Sequence, residues 1–327
     1  MAGSPHRKTY GPAYLQFYPT LRCNMACTFC FNRGLAGAAD TDPDDFRKIV
    51  AIAADQGIGH IDFLGGEPTL HPDIESMIGM IASAGQMTTM SSNGTRPEIL
   101  EILSRRFPET SLRIGISLNT GSNAGSIDKR LRDYIETYRP IVKTLFSNEK
   151  KSRGKYLFAG LDTDGIDLRL IYRDAVQETD LGECGSFSEF YNHLKQIQSD
   201  LPNLKGVYCQ GFLPDRDDPV TDGVRCPAGT TKLAVMPDGT VYPCYLLFRY
   251  SRFRLGNLLT DDFLSIWEHP VLDFFRYFDK NRCPETDCAL FDRCHGGCPA
   301  QGYMFTGDLD GPDPRCSGLP LAYGHTM

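Results

Sequence analysis

Three cysteines fall close together in Cys23-Asn24-Met25-Ala26-Cys27-Thr28-Phe29-Cys30, a Cys-x3-Cys-x2-Cys spacing. Three thiolates on one tight loop hold three corners of an iron–sulfur cubane, for which four ligands are usual. The remaining iron stays open, as a catalytic metal position requires. A structural zinc site needs a fourth Cys or His nearby, and residues 31–59 contain neither. Further along, Gly65-Gly66-Glu67-Pro68 joins bare backbone, which lets a ligand approach closely, to a carboxylate that accepts from an ammonium group.

A second group, Cys226, Cys244, Cys283, Cys288, Cys294, Cys298 and Cys316, lies wholly beyond position 225. Seven thiols do not divide into closed tetrahedral zinc sets. Only Cys184 and Cys209 stand between the two groups, so the chain carries two metal-bearing regions. Cys184 reads as an ordinary thiol. Tyr245, Asp292 and His295 sit beside these cysteines. They are acid–base candidates or support for the metal ligands.

The chain has 327 residues, 41% hydrophobic and 23% charged, which suits one large domain plus a smaller one. Its net charge of −7 leaves no broad basic surface for nucleic acid. The short basic run from Lys150 to Lys155 reads as a solvated loop. No apolar stretch resembles a secretory signal or a membrane span. A cytoplasmic setting is therefore expected, in which clustered thiols mean metal or catalysis rather than disulfides.

The elements that must position these groups alternate through residues 13–209. Tyr14–Pro19 reads as a strand leading into the first cysteines. Asp42 as N-cap, Pro43 at the first helical position and the acids Asp44 and Asp45 open a helix through Gln56. Strand Ile61–Leu64, helix Asp73–Ala84, strand Met87–Met90, helix Pro97–Phe107 and strand Leu112–Leu118 follow. A long helix from Ser126 to Lys143, strand Leu168–Tyr172, helix Phe187–Asp200 and strand Lys205–Tyr208 complete the series. Six β–α alternations imply a parallel sheet, as an incomplete TIM-like barrel or a doubly wound sheet. Both architectures gather chemistry at the carboxyl ends of strands, where the cysteine loop and the Gly-Gly-Glu-Pro segment both fall. After a connector rich in Pro and Asp, Pro237-Asp238-Gly239 signals a hairpin, and Leu264–Phe278 reads as one amphipathic helix.

With this spacing and placement, the chain resembles the radical S-adenosylmethionine (SAM) superfamily over about residues 13–209. The resemblance implies an α/β fold, a partial (β/α)6 TIM-like barrel at residues 1–209. There Cys23, Cys27 and Cys30 hold a [4Fe–4S] cluster whose fourth iron binds SAM. It implies that Phe29 contacts adenine and that Gly65, Gly66, Glu67 and Pro68 bind the SAM amine. Asn93, Ser117, Asn119, Arg169 and Arg173 are further expected contacts. The later cysteines resemble the SPASM domain, expected as a small loop-rich region at 226–327 after a connector at 210–225. That domain implies two auxiliary [4Fe–4S] clusters, three clusters in all. The first takes Cys226, Cys244 and Cys298, and the second Cys283, Cys288, Cys294 and Cys316. Cys283-x4-Cys288 departs from the usual Cys-x2-Cys of the family. The first auxiliary cluster either keeps an open iron, the preferred reading here, or is completed by Cys209.

The resemblance implies an enzyme that cleaves SAM to a 5′-deoxyadenosyl radical and abstracts hydrogen from an unactivated carbon. The leading expectation is oxidative maturation of a peptide or peptide-like substrate, forming a new bond or double bond. The alternative is modification of a small metabolite or tetrapyrrole. A non-catalytic electron carrier has no need of the SAM motif. A reducing partner such as flavodoxin or ferredoxin is expected. Only 22 residues precede Cys23, so peptide recognition is expected from a separate protein or from the barrel itself. Tyr245 stands where sulfatase-maturing enzymes have an acidic residue, which argues against that activity.

Overall fold

Leu15 and Phe17 of the first strand and Ile61 and Phe63 of the second are buried against the first helix. Phe17 meets Phe46 of that helix with ring centroids 5.0 Å apart. The residues between them, Gln16, His60 and Asp62, point to the opposite face, as strand alternation requires. This computed structural model describes residues 11–35, 38–118, 127–147, 161–213, 225–278, 280–288, 290–292 and 294–316.

Seven strands run parallel in sequence order: β1 (Tyr14–Phe17), β2 (His60–Phe63), β3 (Met87–Ser92), β4 (Leu112–Ser117), β5 (Ile141–Leu145), β6 (Leu168–Ile171) and β7 (Lys205–Val207). The helices of this region are α1 (Pro43–Asp55), α2 (Ile74–Ser83), α3 (Pro97–Arg106), α4 (Lys129–Tyr138), α5 (Glu178–Cys184) and α6 (Phe187–Gln198). On its other side β1 pairs in parallel with β8 (Lys232–Val235), whose hairpin partner β9 (Thr240–Tyr242) carries β10 (Gly256–Asn257). Among the described residues the sheet ends at β7 and β10 and does not close, so the barrel is partial. The Asp238-Gly239 hairpin of the C-terminal region thus continues the barrel sheet.

The start of α1 matches expectation: the Asp42 side chain accepts from Asp44 N and Asp45 N, with Pro43 in the first turn. Two elements differ. The helix expected through Lys143 stops at Tyr138, because Arg139 takes a left-handed conformation (φ 46°) and Pro140 bars continuation. The Ile-Val-Lys-Thr-Leu run beyond is β5, a strand more than the six counted from sequence. The helix expected at 264–278 is two helices, α7 (Phe263–Trp267) and α8 (Val271–Tyr277), broken at Pro270. The last described helix is α9 (Pro299–Thr306).

The C-terminal region docks on the end of β6. Tyr172 donates its hydroxyl to Arg315 O at 3.0 Å, Phe187 N donates to Arg315 O at 3.1 Å, and Gln301 Nε2 to Ala175 O at 2.9 Å.

Candidate active site and cysteine centres

The loop carrying Cys23, Cys27 and Cys30 leaves the carboxyl end of β1 and is fastened to β2 and β3. Gly66 N donates to Thr20 O at 2.9 Å, Glu67 N to Arg22 O at 2.8 Å, and Asn32 Nδ2 to Gly65 O at 2.5 Å. A Cβ on Gly65 or Gly66 would overlap the Thr20 or Arg22 carbonyl. The glycines are therefore required by the cysteine loop as well as by any ligand. On the β3 side, Asn93 Nδ2 donates to Asn24 Oδ1 at 2.9 Å and Asn24 Nδ2 to Thr95 Oγ1 at 2.8 Å. Asn93 Nδ2 also lies 3.9 Å from Cys23 Sγ.

Glu67 joins these pieces from below. Its Oε1 accepts from Thr69 N at 3.1 Å, Thr69 Oγ1 at 2.7 Å and Ser92 Oγ at 2.9 Å. Its Oε2 accepts from Asn93 N at 2.7 Å. The carboxylate is buried, and the hydrogen bonds it accepts tie the β2 and β3 ends together. Pro68 opens the buried 3₁₀ turn Pro68–Leu70.

Below the loop the inner face of the sheet is polar. Lys143 Nζ donates to Ser91 Oγ at 2.5 Å. Burial pushes its amine down to about 8, with the Asp62 carboxylate opposing and Arg169 adding to the fall. Burial raises Asp62 in turn, against Lys143, His60 and Lys232. Ser117 stands in register with Lys143. Arg169 is paired instead with Asp167, Nη2 to Oδ2 2.9 Å. Arg173, past the carboxyl end of β6, places its guanidinium 5.9 Å from the Phe29 ring centroid. Asn119 and the basic run at 150–155 lie outside the described residues.

The C-terminal thiols form two sets. Buried Cys226, Cys244 and Cys298 share one packed cluster, and half-buried Cys209 packs against it. Burial and then the neighbouring thiols Cys298 and Cys244 push Cys226 up to about 12. Burial raises Cys244 to about 11, with Cys298 adding. Cys283, Cys288, Cys294 and Cys316 line one cavity of about 340 Å³, walled also by Phe187, Phe212, Leu290 and Phe291. Between the two cysteine regions, Tyr245 donates its hydroxyl to Asp174 Oδ2 at 2.6 Å, and Arg315 Nη1 donates to Asp174 Oδ1 at 3.1 Å. The Tyr245 ring lies 4.7 Å, centroid to centroid, from Phe31, the residue after Cys30. Burial first, then the Asp174 charge, holds the Tyr245 phenol well above its ordinary value. The phenol is thus the donor of this hydrogen bond, and the Asp174 carboxylate accepts it. Asp292 is exposed, and His295 is held through its backbone, N to Gly211 O at 2.8 Å.

Residues 17–162 match the radical SAM superfamily, and residues 226–299 match SPASM, an iron–sulfur cluster-binding domain. The chain belongs to the radical SAM superfamily. It is 25% identical over 350 residues to a mycofactocin maturase of Mycolicibacterium smegmatis, covering 93% of this chain and 82% of that protein. It is 25% identical over 337 residues to a PqqA peptide cyclase of Streptomyces rochei, covering 94% and 90%. Its fold superposes on Streptococcus suis SuiB bound to the precursor peptide SuiA with a TM-score of 0.70 at 18% identity, covering 94% and 76%.

The radical SAM assignment makes this an enzyme that uses SAM and a [4Fe–4S] cluster, and the residues present fit both. The three loop thiols adjoin one another: burial raises Cys27, and Cys30 and Cys23 raise it further. Such thiols ionise when a metal supplies the compensating charge. Buried polar atoms without protein partners, Tyr18 Oη, Arg33 Nε and Arg173 Nε, lie in this end of the barrel. Among the described residues no three His, Cys or carboxylate side chains form a group for a single metal ion. A cubane differs, since each thiolate takes its own iron. No helix among the described residues is long and apolar enough to cross a membrane. Sequence reasoning passed over Lys143, which it placed at a helix end, and Asp174, which has no motif around it.

Proposed function

We propose that this radical SAM enzyme is an oxidative peptide maturase with one catalytic and two SPASM clusters. The catalytic cluster is bound by Cys23, Cys27 and Cys30. Bound at the open end of the barrel, SAM and the reduced cluster supply the 5′-deoxyadenosyl radical that takes a hydrogen atom from an unactivated substrate carbon. When SAM is bound, Phe29 and Arg173 would border its adenine, and Asn93, held by Glu67, would border its methionyl group. Lys143, Ser91 and Ser117 line the barrel beneath, where a substrate chain enters.

The observation that supports the reading is the Phe31–Tyr245 ring contact, 4.7 Å between centroids, which joins the residue after Cys30 to the residue after Cys244. Closing a new bond or double bond on a substrate radical removes one further proton and one electron. Asp174, oriented by Tyr245 and Arg315, takes the proton, and the adjoining thiol centres lie where the electron must leave. The mycofactocin maturase and the PqqA peptide cyclase, similar along nearly the whole chain, support a peptide substrate.

The test is anaerobic turnover of the reconstituted enzyme with dithionite, SAM and short precursor peptides encoded beside its gene, followed by mass spectrometry. A peptide that loses a pair of hydrogens, with 5′-deoxyadenosine formed in step, supports the proposal. Turnover of a small metabolite or tetrapyrrole with every such peptide left unchanged would overturn the peptide assignment.

A further inference from the structure

Cys209 lies just beyond the carboxyl end of β7, outside the spaced cysteines of the SPASM region, yet it is fixed against them. The turn it begins is closed by Phe212 N donating to Cys209 O at 3.0 Å. Within that turn Gly211 O accepts from His295 N at 2.8 Å and from Gly297 N at 3.1 Å. A Cβ on Gly211 would overlap the Gly297 carbonyl, so glycine is required for this approach. Phe212 anchors the far end of the turn by stacking on Phe187, ring centroids 4.1 Å apart and planes 8° apart. The turn thus sets half-buried Cys209 beside the 294–298 loop, packed against the buried cluster that contains Cys226, Cys244 and Cys298.

Two buried cations stand close to these cysteines: Arg225 directly precedes Cys226, and Lys232 reaches the ring of Tyr245, the residue after Cys244. Arg225, only 6% exposed, carries Nε and Nη1 without any protein partner. Its remaining Nη2 is held by Asn281 Oδ1, His295 O and Gly297 O, and its guanidinium covers the Phe278 ring at 3.7 Å. Lys232, on β8, is buried, with its Nζ 5.2 Å from the Tyr245 ring centroid. Two desolvated cations beside four thiols make sense when those thiols are ionised together on a metal centre.

We propose that Cys209 is the fourth protein ligand of the first SPASM cluster, completing the set Cys209, Cys226, Cys244 and Cys298. The inference rests on the reading that a cluster occupies this site. A fully ligated cluster has no iron to offer a substrate, so this centre accepts and passes electrons and does not bind substrate. The open-iron alternative preferred from the cysteine spacing is replaced, because the fourth thiol comes from the barrel and not from the SPASM region.

The test uses full-length protein in which Cys23, Cys27 and Cys30 are all changed to Ala, so that only SPASM clusters remain. Iron, acid-labile sulfide and the electron paramagnetic resonance spectrum of the dithionite-reduced protein are measured with and without cyanide. With Cys209 present, the spectrum is expected to be indifferent to cyanide. Adding Cys209→Ala is expected either to lose about four irons per chain or to yield a cluster whose g values move on cyanide binding. Cys209→Ser, which keeps an oxygen ligand and guards against misfolding, is expected to retain the iron with altered g values. Unchanged iron and unchanged g values in both variants, or a cyanide-responsive parent, would overturn the proposal. Parent protein without iron or sulfide would instead bring down the underlying reading that the SPASM region holds clusters.

Discussion

The Tyr245 hydroxyl donates to Asp174 Oδ2 at 2.6 Å, joining the residue after Cys244 to the carboxyl end of β6. The carboxylate is also bound by Arg315, itself paired with Asp313 Oδ2 at 2.7 Å. Asp313 Oδ2 accepts from Cys298 N at 2.8 Å. One polar chain thus runs from the Cys298 backbone through Asp313, Arg315 and Asp174 to Tyr245, whose ring meets Phe31. Asp174→Asn is expected to lower product formation by about a hundredfold or more, the usual scale for removing a general base. 5′-Deoxyadenosine should still form, uncoupled from product. Tyr245→Phe removes one hydrogen bond to a charged group and is expected to cost about tenfold. Product yield per 5′-deoxyadenosine in the two variants is the measurement, and equal coupling in wild type and Asp174→Asn would exclude the carboxylate as base.

Gly66→Ala is a test of how the cysteine loop is held. A methyl group there overlaps the Arg22 carbonyl, backbone that cannot move without displacing Cys23. The variant is expected to lose the catalytic cluster, about four irons per chain, while the SPASM content is retained. An unchanged iron count with normal SAM cleavage would show that the loop accommodates the methyl.

Glu67→Gln replaces an acceptor of four hydrogen bonds with a side chain that presents an amide donor to some of the same groups. Each bond to a charged acceptor contributes about 1.5–3 kcal/mol. A loss of roughly that size is expected in denaturant unfolding, together with weaker SAM binding because Asn93 is no longer held. Unaltered SAM affinity by equilibrium dialysis would separate the carboxylate from the ligand site.

Lys143 sets a pH dependence of stability. Its folded-state value near 8 lies below the ordinary 10.5, because burial disfavours the charged amine. Between those two values the native chain binds fewer protons than the unfolded chain, so this residue's contribution to stability rises as pH rises through the window. Below about 8 both states are protonated and the penalty of burying the charge is present in full. Lys143→Met is therefore expected to gain on wild type most at neutral pH, and the gain should shrink toward pH 10.5. Denaturant midpoints for both proteins across that range check the sign. A difference independent of pH would mean that the amine titrates normally in the folded protein.

Features that depend on neighbouring residues were legible from the chain alone. The Cys23-x3-Cys27-x2-Cys30 loop, the Gly-Gly-Glu-Pro segment at a strand end and the Asp42-Pro43 helix start each express their chemistry within a few residues. Alternating periodicities led to a parallel sheet, as a partial barrel or a doubly wound sheet, and the family resemblance chose the barrel; the SPASM cysteines followed from their spacing. Where the reading slipped, a short signal was overrun by a longer pattern. The apolar spacing of α4 concealed the break at Arg139-Pro140, so β5 and the lysine at its centre were passed over. Pro270 was likewise absorbed into an apparent amphipathic helix.

Other features have no local signature at all. Glu67 reads as a ligand for an amine, and only folding shows that Ser92 at the end of β3 and the next residue, Asn93, donate to its oxygens. Asp174 gains its place between the two cysteine regions only when Tyr245, 71 residues away, donates to it. Cys209 joins Cys298 only because Gly211 lets one turn lie against the 294–298 loop. The sequence by itself determined which cofactor chemistry the chain can carry, since ligand type and spacing are local and covalent. Tertiary structure alone decided which acid, which lysine and which fourth thiol stand beside that chemistry. Burial and distance across the barrel set those choices, and neither is a property of a short segment.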